Sequence, residues 1–172
     1  MPLRTLLFAA TFFMTGGTLM ADARLGATIG EFRSLWDRPS REEVFVRTAT
    51  LTWNRQPSRS SPVLPSGIFA VEVAFLDGIA CEIVLRSKKR TAPGEFIELL
   101  EPLVAHFHAA DFAKPKSDVN GIRIYDLSDG TSVSVKEHKG QLVIVMRSQC
   151  YLHNEDVFAR EAAKIRPPTS NH

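Results

Sequence analysis

The chain has 172 residues, 44% of them hydrophobic and 23% charged, with 21 basic and 19 acidic side chains. Such a profile belongs to one ordinary globular domain, long enough to bury roughly two thirds of its unfolded surface. It excludes a disordered tail, a collagen-like repeat, a cysteine-rich miniprotein and a polytopic membrane protein.

Residues 1–23 read as a cleavable signal peptide. Arg4 is their only basic residue, Leu6 to Met14 form an apolar run, and Gly16-Gly17 end it. Leu19-Met20-Ala21 and Ala21-Asp22-Ala23 both suit signal peptidase, the second better because both of its outer positions are alanine. So short a run cannot anchor the chain across a bilayer. A buried N-terminal helix is the alternative, but nothing polar gives the stretch an amphipathic face. No cysteine follows the run for lipid attachment, so the expected product is a periplasmic or secreted protein without a stable membrane anchor. Without residues 1–21 the chain keeps 20 basic and 19 acidic groups, too even a balance to call for nucleic acid.

Residues 24–166 are expected to form a single α+β domain, followed by a disordered tail over 167–172. Thr28-Ile29-Gly30-Glu31 is a capping-box pattern that starts a helix. Ile29, Phe32, Leu35 and Trp36 recur at helical spacing, and Pro39 stops the helix. Val44 to Trp53 reads as one strand, rich in β-branched and aromatic residues. Pro57, Pro62 and Pro65 place an exposed loop over 54–66. Ile68 to Leu76 and Ile79 to Arg86 flank Asp77-Gly78 as a β-hairpin. A three-residue loop sets Phe75 against Ile79, Val73 against Cys81 and Val71 against Ile83, which keeps one face apolar.

A second helix is expected from Pro93 to His108, on the stripe Phe96, Leu99, Leu100, Leu103, Val104 and Phe107, with a mild bend at Pro102. Ile122 to Leu127, Thr131 to Glu137 and Gln141 to Ser148 read as a three-stranded meander. Asn154 caps a last helix carrying Val157, Phe158, Ala162 and Ile165, ended by Pro167-Pro168. The class is α+β: a mainly antiparallel sheet of hairpin plus meander, with helices packed on one face.

Gly26-Ala27-Thr28 before Glu31, the short helix ending near Pro39, and Phe75-Leu76-Asp77-Gly78-Ile79-Ala80 resemble small exported bacterial domains. These are the domains related to the outer-membrane assembly lipoproteins and the β-lactamase-inhibitor-protein fold. The likeness covers residues 25–86. It implies helices on one face of an antiparallel sheet and a role in binding other proteins. The lipid-bearing cysteine of the assembly lipoproteins is missing, and Asp37 stands where the first helix would often close on glycine. Membrane anchoring is therefore not implied, and no functional residue carries over.

Chemistry-bearing groups are sparse. Cys81 and Cys150 are the only cysteines, and export leaves them either bonded to each other or as two separate buried thiols. His106, His108 and Asp111 share metal-ligand chemistry, but positions two apart on a helix point about 200° apart, so no metal site is expected. No Gly-x-Ser-x-Gly elbow, His-Glu-x-x-His helix or phosphate-cradling glycine loop occurs. Glu72 and Glu82 are expected to face one another across the hairpin, where a solvated face explains them better than acid–base catalysis. No cofactor and no enzymatic activity is expected. Two exposed segments remain as binding candidates. Arg86, Lys88, Lys89 and Arg90 concentrate positive charge, and Arg55, Arg59, Pro62 and Pro65 stud the proline-rich loop. A solvated loop and a flexible connector are the plainer readings of the same residues. Trp36 and Trp53 are expected in the core. The leading expectation is a non-catalytic domain that binds another envelope or secreted protein. The alternative is a small-molecule or lipid-binding protein, or an unrecognised hydrolase, with a pocket between helix 93–108 and the sheet.

Overall fold

The computed structural model describes residues 23–55, 64, 67–87, 97, 100–104, 108–138 and 140–164. Helix α1 (Ile29–Trp36) is followed by β1 (Arg41–Val44), β2 (Thr48–Asn54), β3 (Ile68–Leu76) and β4 (Ile79–Ser87). The second half carries β5 (Ser117–Val119), β6 (Ile122–Asp126), β7 (Ser132–His138) and β8 (Gln141–Arg147). Helices α2 (Gln149–His153) and α3 (Glu155–Ala163) come last. All eight strands form one sheet in the order β1-β2-β3-β4-β8-β7-β6-β5, every neighbouring pair antiparallel. Two four-stranded meanders, each preceded by helical segments, thus meet at β4 and β8. The α+β class and the antiparallel sheet hold. The expected signal peptide (except Ala23), the tail 167–172 and, within the expected second helix, 93–96, 98, 99 and 105–107 lie outside the described residues. Ala23 is itself buried in the core, so a cut after Ala21 keeps a core residue that a cut after Ala23 removes.

The capping box forms as its sequence requires. Thr28 Oγ1 accepts from the Glu31 N–H at 3.3 Å, and the Glu31 carboxylate accepts from the Thr28 N–H at 2.7 Å. With its start fixed, α1 buries Phe32 and Trp36 against Trp53 and Phe75, at ring separations of 5.4 to 6.0 Å. The core lies between α1, the side chains of Leu100, Leu103, Val104 and Phe112, and the inner face of the sheet, where Leu51, Trp53, Val73, Ile83, Ile144 and Met146 alternate inward.

Asp37 closes α1 at φ 61° and ψ −158°, a backbone region that glycine occupies freely and other residues reach only under strain. Its carbonyl accepts the Trp53 indole N–H at 3.0 Å, which holds the chain in that turn. Asp37→Gly is expected to raise stability by about 1 kcal/mol, net of glycine's greater unfolded-state entropy. Thermal unfolding checks this, and a lowered midpoint would mean that the aspartate side chain itself holds the turn.

Several expectations need correction. The strand expected over 44–53 is two strands, because the chain reverses at Phe45-Val46-Arg47 and β1 returns along β2. Arg47 braces that reversal through two hydrogen bonds to Asp77, at 3.1 and 2.6 Å. The β3–β4 loop has two residues, not three. Asp77 (φ 50°) and Gly78 (φ 83°) turn the chain so that Leu76 pairs with Ile79 and Phe75 with Ala80. A β-bulge then inserts Cys81, so Val73 pairs with Ile83 and Val71 with Leu85. The apolar face survives by that bulge and not by the three-residue loop. The helix expected to reach His108 instead tightens into a 3-10 turn at Glu101–Leu103, with Val104 already extended. Pro102 is the reason: inside an α-helix it removes a hydrogen bond and clashes with the preceding turn, at a cost of about 3 kcal/mol. A short strand, β5, joins the meander through Asn120-Gly121, both at positive φ.

Nor do the helices share one face. Along β2 the side chains of Ala49, Leu51 and Trp53 enter the core, so Thr48 points to the other side. There its N–H and hydroxyl donate to the Glu161 carboxylate of α3, at 3.0 and 2.6 Å. Thus α3 crosses one end of the outer face, while α1 covers the inner one.

Candidate functional site

The sequence-derived candidates scatter. Cys81 and Cys150 form a disulfide, Cα atoms 5.6 Å apart, that ties the β4 bulge to α2. Arg55 is structural: its backbone N–H donates to the Phe69 carbonyl at 2.7 Å and its guanidinium to the Leu64 carbonyl at 2.8 Å. Arg59, Pro62, Pro65, Lys88, Lys89 and Arg90 lie outside the described residues, as does His106. Arg86 sits half-buried on β4, and nothing described brings it to Arg55. Asp111 accepts from the N–H and hydroxyl of Ser128, at 3.1 and 3.2 Å, and thereby ties down a turn. Among the described residues no group of three metal-ligating side chains converges.

Glu72 and Glu82 do not face one another. Glu72 pairs with Val84 and Glu82 with Ala74, which leaves the two carboxylates diagonal on the outer face. Glu82 pairs on its other side with Arg147, whose Nε donates to it at 2.6 Å. Its side chain is only 12% exposed, and burial raises its pKa despite the opposing pull of Arg147. Arg147 also lies 3.7 Å from Glu155 and 4.8 Å from the centre of the Tyr151 ring, which stacks on Phe158. This cluster clamps α2 and α3 to the sheet and leaves Glu82 engaged by Arg147.

Glu161 is the second clamp. Hydrogen bonds from Thr48 hold its carboxyl below the usual carboxylate range. A depressed pKa contributes stability that is present above the ordinary carboxylate value and lost as pH falls through the lower, folded value. Glu82 acts in the opposite sense: its contribution is full below the ordinary value and lost as pH rises through its own higher one. Glu161→Gln is therefore expected to be less stable than the parent at neutral pH. The gap should narrow on acidification below about pH 4, as urea unfolding at several pH values would read. A gap that stays constant down to pH 2.5 would remove the ionic role assigned to Glu161.

Beyond α3 the outer face is open among the described residues. Two cross-strand rows define it. One runs Thr52, Glu72, Val84, Val145, Ser134, Ile124, and the next runs Asn54, Ala70, Arg86, Val143, Lys136, Ile122. Val143, Val145, Ile122 and Ile124 are half-buried and make a pleated apolar band with charges at its borders, beside the buried Val84 and Ala70. A cleft of about 540 Å³ extends the band between Leu152 of α2 and Ile124, Ser132 and Lys116. Sequence reasoning missed this surface because membership of a row depends on long-range register, above all β4 against β8. The exposed tip of the β1–β2 hairpin also went unread: Val44 is 67% and Val46 89% exposed, in a reversal without Gly, Pro, Asn or Asp.

A smaller cleft, about 280 Å³, lies beside Cys150 between Leu25, Ile79, Ala80 and Val104. Three of its polar side chains already have partners. Asp129 accepts from the Thr131 N–H, Ser148 donates to the Cys81 carbonyl, and Gln149 donates to the Gly130 carbonyl. Among the described residues no helix is long and apolar enough to cross a membrane. Comparison with protein-family models, with curated proteins and with solved structures finds no match.

Proposed function

We propose that this chain is a non-catalytic exported domain that binds another envelope or secreted protein through the outer face of its sheet. The observation that carries the reading is the half-buried apolar band Val143, Val145, Ile122 and Ile124, bordered by charge and left uncovered by α3. An open antiparallel sheet usually presents polar side chains to water, and apolar area with a polar rim is the composition of a recognition surface. The disulfide agrees with an oxidising compartment. The proline-rich segment over 54–66 begins at Asn54, the end of the second row. A ligand pocket between residues 100–104 and the sheet has less support, because Leu100 and Leu103 are buried in the core and the cleft at Val104 is only about 280 Å³.

A photoreactive side chain at Val145 tests the proposal in envelope extracts. Saturable cross-linking, suppressed by excess unmodified protein, is the expected result. Absence of any saturable product from Val145 and from positions within 56–63 would overturn it.

A further inference from the structure

We infer that the uncovered rows of the outer face take an acidic amphipathic helix of the partner, laid beside α3. The inference rests on the outer face being the binding surface. That face already holds one helix by the required chemistry. From Glu155 near Arg147 on β8 to Glu161 at Thr48 on β2, α3 runs along the cross-strand rows and engages the sheet through carboxylates. It covers only the end of the sheet. The next rows offer β-branched side chains, a flat bed of the kind a helix packs on.

Charge selects the sign of the occupant. Arg147 is matched by Glu82, Lys116 by Asp126 and Arg41 by Glu43. Among the described residues, Arg86 and Lys136 have no ion-pair partner. They flank Val143 in one row, two strand spacings apart, or about 10 Å. Seven residues of α-helix advance about 10 Å, so carboxylates at i and i+7 on an overlying helix reach both cations while the residues between them rest on the valines. Glu72 is the opposing charge, next to Val84 in the neighbouring row, and it confines the acidic positions to the β4–β7 side.

The probe is an 18-residue helical peptide with Leu and Ala on one face and Glu at i and i+7 beside it, titrated by fluorescence anisotropy into the disulfide-bonded protein. Its twin carries Lys at those positions. Saturable binding of the Glu peptide is expected, with affinity falling as salt rises. It should drop about five- to tenfold in Arg86→Ala/Lys136→Ala, and the Lys twin should bind at least tenfold more weakly. Lys136 is exposed, so Lys136→Glu gives the same direction of loss without threatening the fold. Equal binding of the two peptides overturns the inference and leaves the outer face as a binding surface without charge selection. Preference for phosphatidylcholine vesicles containing phosphatidylglycerol over the Glu peptide overturns it in favour of a lipid surface. Failure of both peptides overturns the inference alone where Val145 still cross-links, and falls together with the binding reading where it does not.

Discussion

Replacing Trp53 with alanine is expected to lower the free energy of unfolding by about 3–5 kcal/mol, a large share of what a domain of this size possesses. Trp53 has no exposed surface and stands where α1 meets the sheet. Phe32 stacks on it at 6.0 Å, and Trp36 meets it edge-on at 5.4 Å. Alanine leaves a cavity that α1, pinned by its capping box and by the Asp37 turn, cannot close by moving inward. It also removes the indole N–H that the Asp37 carbonyl accepts, and with it the contact that steadies a strained backbone. Trp53→Phe separates the two effects: it keeps most of the apolar volume, loses the hydrogen bond, and should cost about 1–2 kcal/mol. Urea titrations followed by far-UV circular dichroism measure both variants. An alanine variant that loses less than about 1 kcal/mol would show that α1 collapses onto the site, contrary to the rigidity assigned to it.

That aromatic cluster was legible in the sequence, whereas the outer face was not, and the difference is one of range. Thr28 and Glu31 specify the start of α1 within four residues, and Asp77-Gly78 specifies a reversal within two. Such signals act locally and survive any tertiary arrangement. The Cys81 bulge answers a conflict between the turn, which wants two residues, and the facing side chains, which want Val73 opposite an apolar partner. Only the packed sheet settles that conflict. Asn120-Gly121, between Val119 and Ile122, is a local signal that identifies β5 once its two positive φ values are seen. The break at Phe45-Val46-Arg47 has no turn chemistry of its own; it depends on Asp77, thirty residues away, gripping Arg47. Likewise Arg86, Val143 and Lys136 become neighbours only because β4 pairs with β8 and β8 with β7, and no periodicity within one strand encodes that.

Removing the Cys81–Cys150 bridge is expected to cost up to roughly 4 kcal/mol of global stability, since it releases a loop of 69 residues in the unfolded chain. The native state should respond unevenly. Helix α3 buries little apolar surface: Val157 and Phe158 are half-buried and Ala162 is exposed, although Ala162 reads as a core position in the sequence. Its attachment relies on Glu161 at Thr48, on Arg147 near Glu155, and on the bridge that fixes α2 upstream. Ser148 survives the loss, because its N–H and hydroxyl both donate to the Cys81 carbonyl at 2.9 and 3.1 Å. In a Cys81→Ala/Cys150→Ala protein, residues 149–164 should therefore exchange their amide hydrogens faster than in the parent, by one to two orders of magnitude. Strands β2, β3, β4 and β8 should keep most of their protection. Uniform loss of protection across the sheet would mean that α2 and α3 unfold only with the whole domain, and that the bridge acts on the unfolded chain alone. Selective loss would establish that the bridge holds α3 over its end of the outer face, and so sets how much of that face lies open to a partner.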